Sequence, residues 1–213
     1  MNRIRLAVQL VFTIVSNGYL YGFMNGKIYQ GNLKYVCVPG LNCYSCPGAV
    51  MSCPIGALQA LLNQRGFTVP FGVLGFFFVF GSLLGRVVCG WLCPFGLVQD
   101  LLHKIPVFRK RKRLPFHGIL KYGKYVTLVL LVGVGSLFLL GGFAKIPAFC
   151  KYLCPSGTLL GALPLLGRNE LLRSQIGGLF YWKLGVLFFL LILSVKVYRP
   201  FCQYFCPLGA IYG

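Results

Sequence analysis

Four copies of Cys-Pro-x-Gly punctuate the chain: Cys53-Pro54-Ile55-Gly56, Cys93-Pro94-Phe95-Gly96, Cys154-Pro155-Ser156-Gly157 and Cys206-Pro207-Leu208-Gly209. In three of them a second cysteine lies four residues earlier, at Cys89, Cys150 and Cys202. The first copy has Ala49 there, and its upstream cysteines are Cys37, Cys43 and Cys46. Proline suits the first position of a helix, where its missing N–H costs nothing. Each motif cysteine is therefore expected at an N-cap, where free backbone N–H groups and the helix dipole favour the thiolate. The glycine lets backbone approach a bulky inorganic core. Cysteine followed by proline also closes the bacterial ferredoxin run, and a [4Fe–4S] cluster takes four thiolates. One Cys-x-x-x-Cys unit supplies two thiolates, so two units complete a cluster.

Other chemistries fit this pattern less well. Zinc knuckles use thiolates without the proline-glycine sequel. Covalent haem needs Cys-x-x-Cys-His, and no cysteine here precedes a histidine. His103 and His117, the only histidines, border a basic loop and read as interfacial residues. Disulfides remain an alternative on an oxidising side of a membrane. Asp100 and Glu170 are the only acids, so no carboxylate pair is present for acid–base catalysis. No catalytic set emerges; an electron-transfer subunit of an oxidoreductase fits better than a stand-alone enzyme.

The elements that must position these cysteines are apolar. The chain has 213 residues, 57% hydrophobic and 11% charged, with mean hydropathy +0.77. Soluble domains carry about 25% charged residues. The net charge of +19 reflects the near-absence of acids. Basic residues border apolar runs, as positive-inside topology and anionic headgroups require, and no soluble basic-aromatic face for nucleic acid is apparent. Four runs approach the length of a membrane span of about 20 residues: 4–23, 68–88, 119–143 and 179–198. The expected fold is an all-α membrane protein of four transmembrane helices in two pseudo-repeats. Residues 1–103 form the first half, 104–118 a basic loop and 119–213 the second half. A short interfacial or re-entrant helix is expected after each Cys-Pro-x-Gly. Only Ala210 to Gly213 follow the last motif, so the repeat predicts that the native chain continues.

Topology then divides the cysteines. Thirteen of the 21 basic residues, including the run Arg109–Arg113, fall on the side that holds the termini and the 104–118 loop. That side is expected to be cytoplasmic in a prokaryotic cytoplasmic membrane. It carries Cys89, Cys93, Cys202 and Cys206, a complete first set. The other side carries Cys53, Cys150 and Cys154, with Cys46 or Cys43 as fourth ligand, and Cys37 has the weakest claim. The expected cofactors are two [4Fe–4S] clusters.

The stretches 85–96 (GRVVCGWLCPFG) and 199–210 (RPFCQYFCPLGA) resemble the paired motifs of the membrane-bound polyferredoxin family. Its relatives include the quinol-dehydrogenase membrane subunit of periplasmic nitrate reduction, the nitrous-oxide reductase regulator and the copper-oxidase assembly ferredoxin. Cys43-Tyr44-Ser45-Cys46-Pro47 followed by Cys53-Pro54-Ile55-Gly56 is similar to the opening segment of some members. The resemblance implies iron–sulfur electron transfer in the membrane. Implied partners are lipid and redox proteins: ferredoxin, flavoprotein, or a quinone-linked carrier with quinone itself. Metalloenzyme assembly and redox sensing by the same thiolates are the alternatives.

Overall fold

A computed structural model of the chain describes residues 3–62, 71–106, 114, 116–134 and 147–213. Among these, the chain is helical or irregular apart from isolated bridge positions, such as the parallel bridge between Cys37 and Ser52. The basic run 109–113 and the later part of the third apolar run lie outside the described residues.

The apolar runs do not form four uninterrupted helices. The first divides into α1 (Arg3–Ser16) and α2 (Leu20–Asn25). Two local effects end α1. Asn17 Nδ2 donates to the Thr13 carbonyl at 3.1 Å, and Ser16 Oγ donates to the Phe12 carbonyl at 2.8 Å. Such side-chain bonds compete with helix continuation. The freed backbone is taken up by the cysteine segment. Tyr19 N–H donates to Gly48 O at 3.1 Å, and Val50 N–H donates to Ser16 O at 3.0 Å. At Gly22 a Cβ would come within 2.1 Å of Pro47 O, so only glycine permits this approach. The break in the first run is thus the socket for residues 42–50.

The second run also breaks. After α3 (Pro54–Leu62), α4 (Phe71–Leu83) stops ahead of Gly85, whose φ of +45° is left-handed, and α5 (Arg86–Trp91) begins. Cys89 therefore sits inside α5, not beyond the end of the second run. The third run holds short helices His117–Leu120 and Gly123–Val126 that pass into a π-helix, Thr127–Val134. Gly178–Lys196 is the one helix, among the described residues, long and apolar enough to cross a membrane. At 19 residues it spans about 28 Å.

Short helices do follow each motif. They are α3, α6 (Pro94–Lys104), a helical stretch beginning at Pro155, and Pro207–Ile211. They pack into one core that contains Cys53, Cys93, Cys154 and Cys206 with Ile55, Phe95, Phe149, Phe201 and Leu208. The halves interlock there, because α6 of the first half packs on Gly178–Lys196 of the second.

The cysteine segments are not separated by the thickness of a bilayer core. A Cβ on Gly40 would lie 3.0 Å from Cys93 Cα and 2.9 Å from Leu92 O. The loop carrying Cys37 and Cys43 therefore rests directly on the second motif. The stretch around Gly40 and the Cys93 turn thus meet in the interior.

Candidate metal centre

All ten cysteines are described, and all are free thiols. Eight of them gather in two sets.

In the first set, Cys89 lies on α5 and Cys202 on the helix Pro200–Tyr204. Cys93 and Cys206 are N-caps with extended backbone, and proline follows each at the first helical position, as the sequence requires. The motif glycines serve a purpose different from the expected one. A Cβ at Gly96 would sit 3.1 Å from Cys89 O, and at Gly209 2.8 Å from Cys202 O. Each glycine lets the turn fold back onto the carbonyl of its own upstream cysteine, which sets the distance between the two thiols.

Asp100 braces this set. It is 3% exposed, and Arg199 Nε donates to its Oδ1 at 2.7 Å. Arg5 Nη2 donates to Oδ2 at 2.9 Å. Arg199 Nη1 also donates to Cys89 O at 2.6 Å. One carboxylate thus ties α1, α6 and the approach to Cys202 together. Arg199 holds a left-handed φ of +47°, a costly conformation outside glycine, and this network fixes it. Gln99, fully buried on α6, donates from Nε2 to Cys202 Sγ at 3.3 Å and accepts the Phe201 N–H at 3.2 Å.

The four thiols act on one another. Burial raises Cys206 well above the ordinary thiol range, and Cys202, Cys89 and Cys93 add to it. Burial pushes Cys89 up to about 12, Cys93 adds to this, and Arg199 and Lys124 oppose it. Cys89 and Cys202 open onto a cavity of about 720 Å³ lined also by Arg5, Arg86, Lys121 and Lys124.

The second set departs from the repeat. Cys43, Cys53, Cys150 and Cys154 line a cavity of about 360 Å³ together with Lys183. Cys43 Sγ lies 3.7 Å from a Cβ position on Gly157 and 3.4 Å from one on Gly161, so it reaches the Cys154 turn. Lys183 Nζ donates to Cys150 O at 3.2 Å. Of the two alternatives for a fourth member, Cys43 lines the cavity. Cys46 is fully buried behind it, its N–H donating to Cys43 O at 3.0 Å. Cys37 stays apart from this cavity, in the bridge to Ser52.

The helix N-termini do favour thiolate, since N–H groups of Gly56 and Ile55 draw Cys53 down. Burial outweighs them and leaves Cys53 at about 12. Burial thus opposes the charged form of Cys53, and a metal centre bound there would compensate for it.

No three His, Cys, Asp or Glu side chains among the described residues converge on a point that would hold a single ion. A mononuclear zinc site needs sulfurs packed about one metal at roughly 2.3 Å. A cubane instead takes one thiolate at each of four separate iron corners. Four thiols line the second cavity, and Cys89 and Cys202 line the first.

The sequence reading overlooked Gln99, Arg199 and Lys183 as neighbours of the thiols. A signal existed for the first: Gln59 and Gln99 both stand six residues after their motif cysteine, polar residues inside apolar helices.

The comparisons agree with this chemistry. The pattern of the 4Fe-4S binding domain matches residues 52–70, 65–115, 126–171 and 179–213. An uncharacterized protein of Methanocaldococcus jannaschii is 38% identical over 135 residues, covering 60% of this chain and 47% of that protein. The regulatory protein NosR of Stutzerimonas stutzeri is 32% identical over 60% of this chain and 16% of its own length. The methylamine utilization ferredoxin-type protein MauN of Methylobacillus flagellatus is 29% identical over 88% of this chain and 57% of its own length. The chain thus spans less than two thirds of each of these relatives. No solved structure matches it. The matched segments run through most of the chain and three of the four motifs fall wholly within them together with their paired cysteines, so the chain belongs to the 4Fe-4S binding domain family.

Proposed function

We propose that this chain is an integral-membrane electron-transfer protein with two [4Fe–4S] clusters. Cys89, Cys93, Cys202 and Cys206 hold one; Cys43, Cys53, Cys150 and Cys154 hold the other. The observation that carries the reading is the gathering of four Cys-Pro-x-Gly turns into one core, with four thiols lining one cavity and Cys89 and Cys202 lining another. When bound, such clusters supply one-electron transfer at potentials tuned by nearby charge and hydrogen bonds. The chain's own residues do the tuning: Gln99 donates to Cys202, and Arg199, Lys124 and Lys183 place positive charge beside the thiolates.

Membrane integration is supported by apolar side chains that face outward on several helices. Ile14, Phe78, Leu83, Trp182 and Phe189 are all more than half exposed. Irregular backbone at membrane depth needs burial in protein, and the 42–50 segment is buried in this way between α1, α2 and the motif turns. The cytoplasmic placement of the termini and the 104–118 loop is supported by the basic-residue count and by the Arg5–Asp100–Arg199 network, which ties residues assigned to one side. Electrons pass to or from a redox protein at the cationic cavity by Cys89 and Cys202, which favours an acidic partner. A groove of about 400 Å³ lined by Leu153, Trp182, Phe189 and Phe205, beside the motif cysteines Cys154 and Cys206, suits a quinone.

The test is iron and labile-sulfide analysis with EPR of the reduced, membrane-extracted protein. The expected content is about eight irons per chain. Protein that is iron-free after anaerobic reconstitution, or that holds stoichiometric zinc or copper instead, overturns the reading.

A further inference from the structure

Six residues after the motif cysteine, the first two copies carry Gln59 and Gln99, and the fourth carries Tyr212. All three are buried, with Tyr212 5% exposed. Gln99 gives its N–H to the paired thiol of Cys202, whereas Gln59 at the same register gives its own to the Leu131 carbonyl. Tyr212 occupies the same register in the other half of the molecule. Its ring lies in the core 6.3 Å from that of Phe77, and it lines the cavity into which Cys89 and Cys202 open.

The Tyr212 hydroxyl is buried and has no hydrogen-bond partner among the described residues. An unsatisfied buried donor is costly, so such a group in a native fold calls for an acceptor that arrives with a ligand. The thiols that share its cavity are those of Cys89 and Cys202, both of the first set. A phenol is protonated at neutral pH. It is therefore available as a donor.

We propose that Tyr212 donates its O–H to a sulfur of the cluster held by Cys89, Cys93, Cys202 and Cys206, raising that cluster's potential. The inference rests on the two-cluster reading above. Tyr212 is a positioning and tuning residue: no electron or proton leaves it. A hydrogen bond to a cluster sulfur favours the more negative, reduced form, which is why it raises the potential.

The experiment is an EPR-monitored redox titration of the full chain carrying Tyr212→Phe. The Cys206→Ser variant, which keeps only the other cluster, assigns the signals. The expected result is two intact clusters, with the Cys89-side reduction equilibrium weakened about tenfold, or about 59 mV for one electron, and the other unmoved. Unshifted potentials with about eight irons present, or a shift confined to the Cys53-side cluster, overturn the proposal. If Tyr212→Phe does not assemble, 3,5-difluorotyrosine at position 212 replaces it. That phenol is nearly isosteric and a stronger donor. It must raise the Cys89-side potential, and an unchanged value overturns the proposal. Iron well below eight in the unmodified chain is a separate failure, of the two-cluster reading itself.

Discussion

Around Cys89, Cys93, Cys202 and Cys206, each half of the molecule contributes a complete Cys-x-x-x-Cys-Pro-x-Gly unit. The two units are related by the repeat, and the Asp100–Arg199 pair clamps them together. Around Cys53, Cys150 and Cys154 only one unit is complete. Ala49 takes the place of a cysteine, and Cys43 reaches in from a loop that α1 and α2 break apart to admit. The first set is thus built by local turn geometry copied twice. The second is built by long-range packing of an irregular segment, with Lys183 rather than a carboxylate–arginine network beside it. The difference teaches that one ligand geometry can be reached by repetition or by insertion, and that the two routes are vulnerable to different substitutions.

The largest expected effects come from the thiols. Cys206→Ser and Cys43→Ser should each remove about half of the iron, from different EPR signals. Cys46→Ser should leave both signals, because Cys46 lies behind the cavity. Iron content and EPR of the three variants check this. Iron loss in Cys46→Ser with retention in Cys43→Ser would reverse the assignment.

Next is the clamp. Asp100→Asn removes the partner of two arginines inside the protein, which typically costs about 3–5 kcal/mol. It should release the Cys89-side cluster before the other during denaturant titration of the loaded protein. Glu170→Gln, on an exposed residue, should stay within about 0.5 kcal/mol. Simultaneous loss of both clusters in Asp100→Asn would mean that the two sets are not separately braced.

Gly209→Ala drives a methyl to within 2.8 Å of Cys202 O, a backbone atom that cannot swing aside. Overpacking of this kind costs about 1–3 kcal/mol. Gly90→Ala, with open space around its Cβ position, should be neutral in the same thermal-unfolding assay.

The smallest effects are on potential. Gln99→Leu deletes an N–H···S bond and should lower the Cys89-side potential by about 59 mV, a tenfold change for one electron. Lys183→Met should lower only the Cys53-side potential, and by less, because Lys183 bonds the Cys150 carbonyl rather than a sulfur. Redox titration of both variants decides whether the two sets are tuned independently.

Much of this was legible in the residues. Proline after each motif cysteine announced four helix starts, and four helix starts are present. The paired spacing announced that Cys89 and Cys202 lie close together, and they line one cavity. Hydropathy announced Gly178–Lys196, where no polar residue interrupts the run near its middle. It misread the first two runs because hydropathy is an average. Asn17-Gly18 and Leu84-Gly85 are too few to lower the average, yet they are where the backbone turns.

What the sequence by itself determined is the iron–sulfur family and the number of motif turns, because these depend on residue identity and on spacing within a single turn. Only the tertiary structure brought Cys43 rather than Cys46 to the cavity of Cys53, Cys150 and Cys154, joined Asp100 to Arg5 and Arg199, and placed Tyr212 on the cavity of Cys89 and Cys202. The Asp100 contacts, for example, join segments 95 and 99 positions apart in sequence. Such contacts are selected by packing and by the satisfaction of buried polar groups, neither of which leaves a local periodicity in the chain.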